Sequence, residues 1–377
     1  AGIGGERELR TIFEPGVHQS AGSHALALAA LNVASSSRTV KPEGDLAVVL
    51  RSALRSDQTE LSAQALGLIG RWRVGGLHGD VVSLADNTRA AMPTRLAAVR
   101  ARGLLGGDDT LLLAKLIDSG DATEELKLAA LDSLSRVDMS EAASRGAALL
   151  ALGQVTTGVL SPFLNREGGG PALTAALVRR KPRAAPAAAA LAKLQSLGSS
   201  EMELMNFLSQ TAGIENTVPA YSVEFVAALA KEAAKGNAVS GRQAFQAAGC
   251  AVCHKISPAT NNGIPFIGPE LDTIGNTLST ERIIEEVLWP GRHVKEGFSL
   301  MQVTIRSGTI HQGYEQRSRS KDIFLRPLSQ PGTIQIPHDQ IRSQAQIGSA
   351  MPAGLTAGLN RGQLRDLILF LSEQGRN

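Results

Sequence analysis

The residues of this chain best suited to chemistry are two cysteines and a histidine in one short stretch. Cys250 and Cys253 are separated by two residues and His254 follows directly, so the stretch reads C-x-x-C-H. This spacing is the attachment signature of a c-type haem, in which each thiol forms a thioether with a vinyl group and the histidine is a ligand of the iron. The chain has only 2 cysteines, so one haem c per chain would use both.

Two other interpretations of the cysteine pair stay open at this point. A structural zinc site needs four Cys or His ligands, and the sequence has no second C-x-x-C pair to complete one. A thioredoxin-like redox pair belongs to a βαβ setting, whereas the residues before Cys250 have a helical pattern. Both interpretations therefore fit the surrounding sequence less well than haem attachment.

The composition favours a mainly α protein of two or three domains. Of the 377 residues, 43% are apolar but only 3% are aromatic, which is typical of closely packed helices rather than of a β-sandwich. The net charge of +3 comes without a basic stripe, so we expect no nucleic-acid partner. No apolar run reaches the roughly 18–20 residues of a membrane span, so we expect no transmembrane segment.

The first part of the chain reads as an N-terminal extension (1–21) followed by short amphipathic helices (22–235). A pattern of small residues next to Leu or Ile recurs at 65–69, 101–105, 130–134 and 190–194. Its starting points lie 36, 29 and 60 residues apart, the last being two steps of 30. This degenerate period predicts an α-solenoid that resembles HEAT repeats, and an irregular alanine-rich helical domain is the alternative.

The second part, residues 237–377, has the pattern of a separate helical domain. Helices are predicted over 241–248, 280–288 and 360–374, with a loop rich in Asn, Gly and Pro at 258–269. Between the last two helices, residues 299–336 alternate between apolar and polar types and contain turn residues. That segment predicts a small β-hairpin insertion in an otherwise helical domain.

A haem iron bound by one histidine has a sixth position, and Met351 is the candidate for it. It lies in an irregular stretch, 349–355, just before the terminal helix. A methionine ligand raises the reduction potential and favours electron transfer over the binding of O2 or peroxide. The competitors are Met301, His293, His311 and His338; the alternating pattern around Met301 favours core packing, and the histidines suit ordinary polar positions.

These motifs together resemble a class I c-type cytochrome. Gly241-x3-Phe245-x4-Cys250-x2-Cys253-His254 is followed by G-P-E-L at 268–271 and by Met351-Pro352. More specifically, residues 237–377 resemble the haem-binding domain of planctomycete and verrucomicrobial (PVC) bacteria, which often follows HEAT-like repeats. The match departs from the family's usual residues at Ala350, where Leu is usual, and at Gly291, where Ser is usual.

The resemblance implies further site residues. It assigns the sixth iron position to Met351, and it gives the carbonyl of Pro269 a hydrogen bond from the second ring nitrogen of His254. Alternatively, the only role of Pro269 is to shape its loop. Trp289 or Arg292 would contact a haem propionate, with core packing as the alternative for Trp289.

The function that these features predict is electron transfer. Electrons would pass from a dehydrogenase module or partner, through the haem, to a cytochrome or similar acceptor, and the solenoid would serve as a docking or spacer domain. No catalytic motif is visible, which favours an electron-transfer domain or subunit over a catalyst. The alternatives are a haem enzyme or gas sensor with a sixth site that can be vacated, as in a peroxidase, and a scaffold protein in which the haem only stabilises the structure.

By resemblance to c-type cytochromes, we expect a periplasmic or otherwise exported bacterial protein, either mature or a fragment of a longer one.

Overall fold

The computed structural model describes residues 5–37, 41–107, 110–197, 199, 201–214, 219–256, 267–317, 320–328 and 332–376. Within these residues the chain is mainly helical and carries one small antiparallel sheet. It divides into two compact units, the first of residues 1–149, 157–163 and 175–180 and the second of residues 150–156, 164–174 and 181–377. The predicted domain boundary at residue 235 falls inside the second unit. Residues 1–4 of the predicted extension and 258–266 of the predicted loop lie outside the described residues.

The first unit consists of helices joined by short connections. The last three helices of the following series, α9 to α11, contain residues of both units. The bounds are α1 (Glu6–Phe13), α2 (Ala21–Ser37), α3 (Leu46–Leu54), α4 (Thr59–Trp72), α5 (His78–Asp86), α6 (Met92–Leu105), α7 (Thr110–Asp118), α8 (Glu124–Val137), α9 (Met139–Ala151), α10 (Thr157–Leu164) and α11 (Gly169–Arg180). Within the described part of the chain, no helix is long and apolar enough to cross a membrane.

Alternate helices of the first unit pack against one another in chain order. α2 contacts α4, α4 contacts α6 and α6 contacts α8, while α3, α5 and α7 each pack against the helix that follows. Members of the recurring segments occupy these contacts: a Cβ on Gly103 would lie 2.6 Å from the Cα of Ser133, and the Cα of Ala101 would lie 3.0 Å from a Cβ on Gly70, the residue after segment 65–69. The sequence pattern therefore corresponds to places where two helix backbones approach closely.

The second unit contains a helical core and a sheet. Its helices are α12 (Ala184–Ser196), α13 (Met202–Ala212), α14 (Val223–Ala233), α15 (Ala238–Ala247), α16 (Ile274–Thr277), α17 (Thr280–Leu288) and α18 (Arg361–Ser372). Leu229 of α14, Ile284 of α17 and Leu367 of α18 are fully buried in one apolar cluster. Because α14 belongs to this cluster, the second unit begins before the predicted boundary. The helices predicted over 241–248, 280–288 and 360–374 correspond to α15, α17 and α18.

The sheet has five antiparallel strands in the order β4-β3-β2-β1-β5. They are β1 (Ser299–Ile305), β2 (Ile310–Gln316), β3 (Ile323–Pro327), β4 (Ile334–Ile336) and β5 (Ile341–Ser349). The insertion is thus larger than the predicted hairpin and extends to Ser349. β5 escaped prediction because its exposed middle, Arg342 to Gln346, lacks apolar alternation. Residues 318–319 and 329–331 of the insertion lie outside the described residues.

The helices α15 and α18 of the second unit cross in close contact. A Cβ on Gly241 would collide with the backbone carbonyl of Asp366, so only glycine fits there. One turn further along, the rings of Phe245 and Phe370 pack with centroids 5.8 Å apart. The backbone N–H of Asn237 donates to the Asp366 carboxylate at 3.0 Å. These contacts fix the direction in which α15 leads into Cys250.

We predict that Gly241→Ala destabilises the second unit by about 1–3 kcal/mol, because the added methyl group must separate two packed backbones. The matched control is Gly79→Ala on α5, where a Cβ meets nothing within 4 Å and where alanine is the better helix former. Urea unfolding followed by circular dichroism measures both variants. An unchanged or higher midpoint for Gly241→Ala would contradict the close approach described above.

Candidate functional site

The two cysteines are presented by a single tight turn. α15 ends at Ala247, and Gly249 has φ +75°, a left-handed conformation that glycine adopts without strain. A 3-10 turn covers Cys250–Val252, and the backbone N–H groups of Cys253 and His254 donate to the carbonyl of Cys250 at 3.2 and 3.0 Å. The turn places both thiols and the imidazole against one cavity.

His254 is held in one orientation and one tautomer. Its Nδ1 lies 2.9 Å from the carbonyl oxygen of Pro269. A carbonyl only accepts, so Nδ1 carries the proton and Nε2 keeps its lone pair. Burial lowers the pKa of His254, which outweighs the opposite effect of the bond to Pro269. The side chain is therefore a neutral imidazole with a free Nε2 lone pair, the form that binds metals.

Gly268 forms a close backing for the imidazole ring. A Cβ at this position would lie 2.5 Å from Cε1 and 2.7 Å from Nδ1 of His254. The loop is tied to the motif by backbone hydrogen bonds, from Gly268 N to Cys253 O at 2.8 Å and from Leu271 N to Lys255 O at 2.9 Å. The G-P-E-L stretch thus has a physical reason for its glycine, since any larger residue would displace the ring.

Met351 reaches the same cavity from the sheet. β5 ends at Ser349, which pairs with Ser299 of β1, and the backbone N–H of Met351 donates to the Ser349 hydroxyl at 3.1 Å. The cavity has a volume of about 290 Å³. Its described lining includes five of the residues that the sequence singled out, namely Cys250, Cys253, His254, Pro269 and Met351.

Trp289 and Arg292 do not line this cavity. The indole N–H of Trp289 donates to the carbonyl of Pro219 at 2.8 Å, and its ring packs edge-on against Tyr221 at 5.2 Å. The guanidinium of Arg292 lies 3.6 Å from the centre of the Tyr221 ring. The structure therefore places both residues in a surface cluster around Tyr221, where Trp289 is also in contact with the helical core.

The four competitors of Met351 also lie outside the described lining of the cavity. Met301 is buried in the apolar core of the sheet. His293 is exposed, with Nε2 4.0 Å from a carboxylate oxygen of Glu285. His311 lies on β2, where burial lowers its pKa, and His338 begins a 3-10 turn before β5.

Several lining residues were not identified from the sequence. Phe298 comes from the residue before β1, Tyr314 comes from β2, and Ala192, Gln195 and Ser196 come from α12. The scarcity of tyrosine, only 2 in the chain, was a signal that could have drawn attention to Tyr314. Nothing in the local sequence indicated α12, because it reaches the cavity only through tertiary packing.

The thiols are in an environment that disfavours the thiolate. Burial raises the pKa of Cys250 to about 11 and also raises the pKa of Cys253. A redox-active C-x-x-C pair has a lowered pKa instead, because the thiolate is the nucleophile. Among the described residues, no three His, Cys, Asp or Glu side chains are grouped as a metal site. Neither the thioredoxin-like nor the zinc interpretation is supported by this geometry.

The chain matches no protein-family model, and comparison with curated proteins yields no match. Its function is therefore inferred from the turn, the imidazole and the cavity.

We predict that the thiols of protein made without haem react slowly with iodoacetamide at neutral pH. A pKa of about 11 for Cys250, against an ordinary 9.0, lowers the thiolate fraction at pH 8 about 100-fold. The rate should rise about tenfold per pH unit and level off near pH 11. The variant Cys253→Ala isolates Cys250, and a free cysteine peptide is the reference. Rapid alkylation at pH 7 would indicate a lowered pKa and a redox pair instead.

Proposed function

We propose that this protein is a c-type cytochrome that transfers single electrons through one covalently bound haem c. Cys250 and Cys253 would form the thioethers, and His254 and Met351 would be the axial ligands. The observation that carries the proposal is that these four side chains line one cavity, with both thiols on a single turn.

The residues around the cavity fit such a group. When bound, the haem supplies a centre for reversible one-electron oxidation. Pro269 fixes the imidazole so that the Nε2 lone pair of His254 is available, and Gly268 leaves room for the ring. Ile267, Phe298 and Leu355 give the cavity an apolar lining that excludes water. The thioether of Met351 completes the ligand set and favours electron transfer over binding of small molecules.

The proposal extends to the architecture of the chain. The packing of α2, α4, α6 and α8 in chain order supports a HEAT-like array. Such an array offers long surfaces, so its role would be docking or spacing between a dehydrogenase donor and a cytochrome-like acceptor. The helical core with α15 and α18, together with the sequence motifs, supports a class I cytochrome domain of the planctomycete and verrucomicrobial type. Attachment of haem c implies a periplasmic or otherwise exported location.

The first test is the absorption spectrum of full-length protein made with haem-attachment machinery. We expect a low-spin c-type spectrum with a weak far-red sulfur-to-iron band in the oxidised state. In Met351→Leu this band should disappear, the reduction potential should fall, and carbon monoxide should bind to the reduced protein. Met301→Leu, a methionine of the sheet core, is the matched control and should keep the wild-type spectrum.

Three other results would count against the proposal. A high-spin wild-type spectrum would mean an open sixth site and would favour the alternative of a haem enzyme or gas sensor. An unchanged spectrum and potential in Met351→Leu would exclude Met351 as the axial ligand. The absence of covalent haem would contradict the proposed function itself.

A further inference from the structure

One polar side chain of the cavity wall, that of Tyr314, is left unused by the proposed ligands. This residue of β2 is only 4% exposed, and its side chain lines the cavity together with Cys253, His254 and Met351. Among the described residues, the hydroxyl has no hydrogen-bond partner. An occupant of the cavity that accepts a hydrogen bond would therefore meet an unused donor there.

The ring of Tyr314 is held in place on several sides. Phe298 packs edge-on against it with centroids 5.4 Å apart, and the guanidinium carbon of Arg326 lies 4.9 Å from its centre. Leu300, its partner across β1 and β2, and Ala350 belong to the same buried cluster. A ring packed on these sides has little freedom to change its orientation.

The chemistry of the surroundings favours an anionic acceptor. Burial raises the pKa of Tyr314 to about 12, so at neutral pH the phenol is protonated and able to donate. The positive charge of Arg326 lies close to the same ring. A carboxylate accepts stronger hydrogen bonds than a neutral oxygen, whereas a thioether sulfur is a weak acceptor. A negatively charged oxygen therefore suits this donor better than the sulfur of Met351.

The other neutral polar side chains of the described lining are less suited to this role. The Ser349 hydroxyl accepts from the backbone of Met351, and the Ser196 hydroxyl donates to the carbonyl of Lys193 at 2.8 Å. Gln195 of α12 is only half-buried. Of these side chains, Tyr314 is thus the one with an unused hydroxyl and a largely buried ring.

We propose that Tyr314 donates a hydrogen bond to a propionate carboxylate of the bound haem. The inference rests on the proposed function, because it requires haem in the cavity. Under this proposal the sheet insertion helps to position the haem and is part of the site. It also assigns the propionate contact to Tyr314 instead of Trp289 or Arg292, which the structure places in the cluster around Tyr221.

The test compares Tyr314→Phe with Tyr221→Phe, the same change at the other tyrosine of the chain. Tyr221 is 37% exposed and packs on Trp289 and Arg292. Resonance Raman spectra of the haem-loaded full-length proteins report the propionate bending band. In Tyr314→Phe we expect this band to move to lower frequency and the reduction potential to fall, since the carboxylate charge is less compensated. Tyr221→Phe should retain the wild-type band and potential.

Each remaining outcome has a defined meaning. An unmoved band in Tyr314→Phe, or an equal shift in Tyr221→Phe, would overturn the assignment. An unmoved band accompanied by a change in the far-red sulfur-to-iron band would place the hydroxyl on Met351 and would overturn it too. If Tyr314→Phe does not fold, the wild-type protein in D2O decides, because a hydrogen-bonded propionate band shifts on exchange and an unshifted band rejects the bond. A wild type without covalent haem refutes the proposed function instead.

Discussion

The contact between α15 and α18 at Gly241 is the constraint on which the site depends. The backbone of α15 lies directly against that of α18, so the axis of α15 is fixed where it crosses Asp366. Only the two residues after Ala247 separate the end of this helix from Cys250. The helix crossing therefore fixes the position of both thiols. α18 in turn begins ten residues after Met351, so one crossing anchors the chain segments on both sides of the cavity.

Helices and sheet contribute different parts of the cavity wall. The helical side provides the turn with Cys250 and Cys253, and the loop that orients His254 is tied to this turn by backbone bonds. The sheet side provides Phe298, Tyr314 and the strand that delivers Met351. The sheet also has an apolar core of its own around Val303 and Leu325. It can therefore hold its side chains firmly against the cavity without depending on the helical core for its own stability.

Local signals in the sequence predicted local structure well. The start of α17 follows from the Ser279 cap, and the start of α18 follows from the Asn360 capping box. The C-x-x-C-H turn is equally local. What the sequence could not show were contacts between distant residues: Trp289 bonds to Pro219, 70 residues earlier, and Gln195 reaches the cavity from α12. β5 was missed for another reason, since a strand that is exposed over its middle has no apolar alternation to reveal it.

Burial acts in the same direction on each ionisable group of the cavity. It raises the pKa of the thiols and lowers the pKa of His254, so each group favours its neutral form. In the proposed cytochrome, the same apolar surroundings would favour the less charged, reduced state of the haem iron. The propionates of such a haem would be charges that this lining could not neutralise, because the thiols, imidazole and thioether carry none. Compensation would have to come from groups outside the proposed ligand set, and Tyr314, with the Arg326 guanidinium over its ring, belongs to the cavity wall where it could supply it.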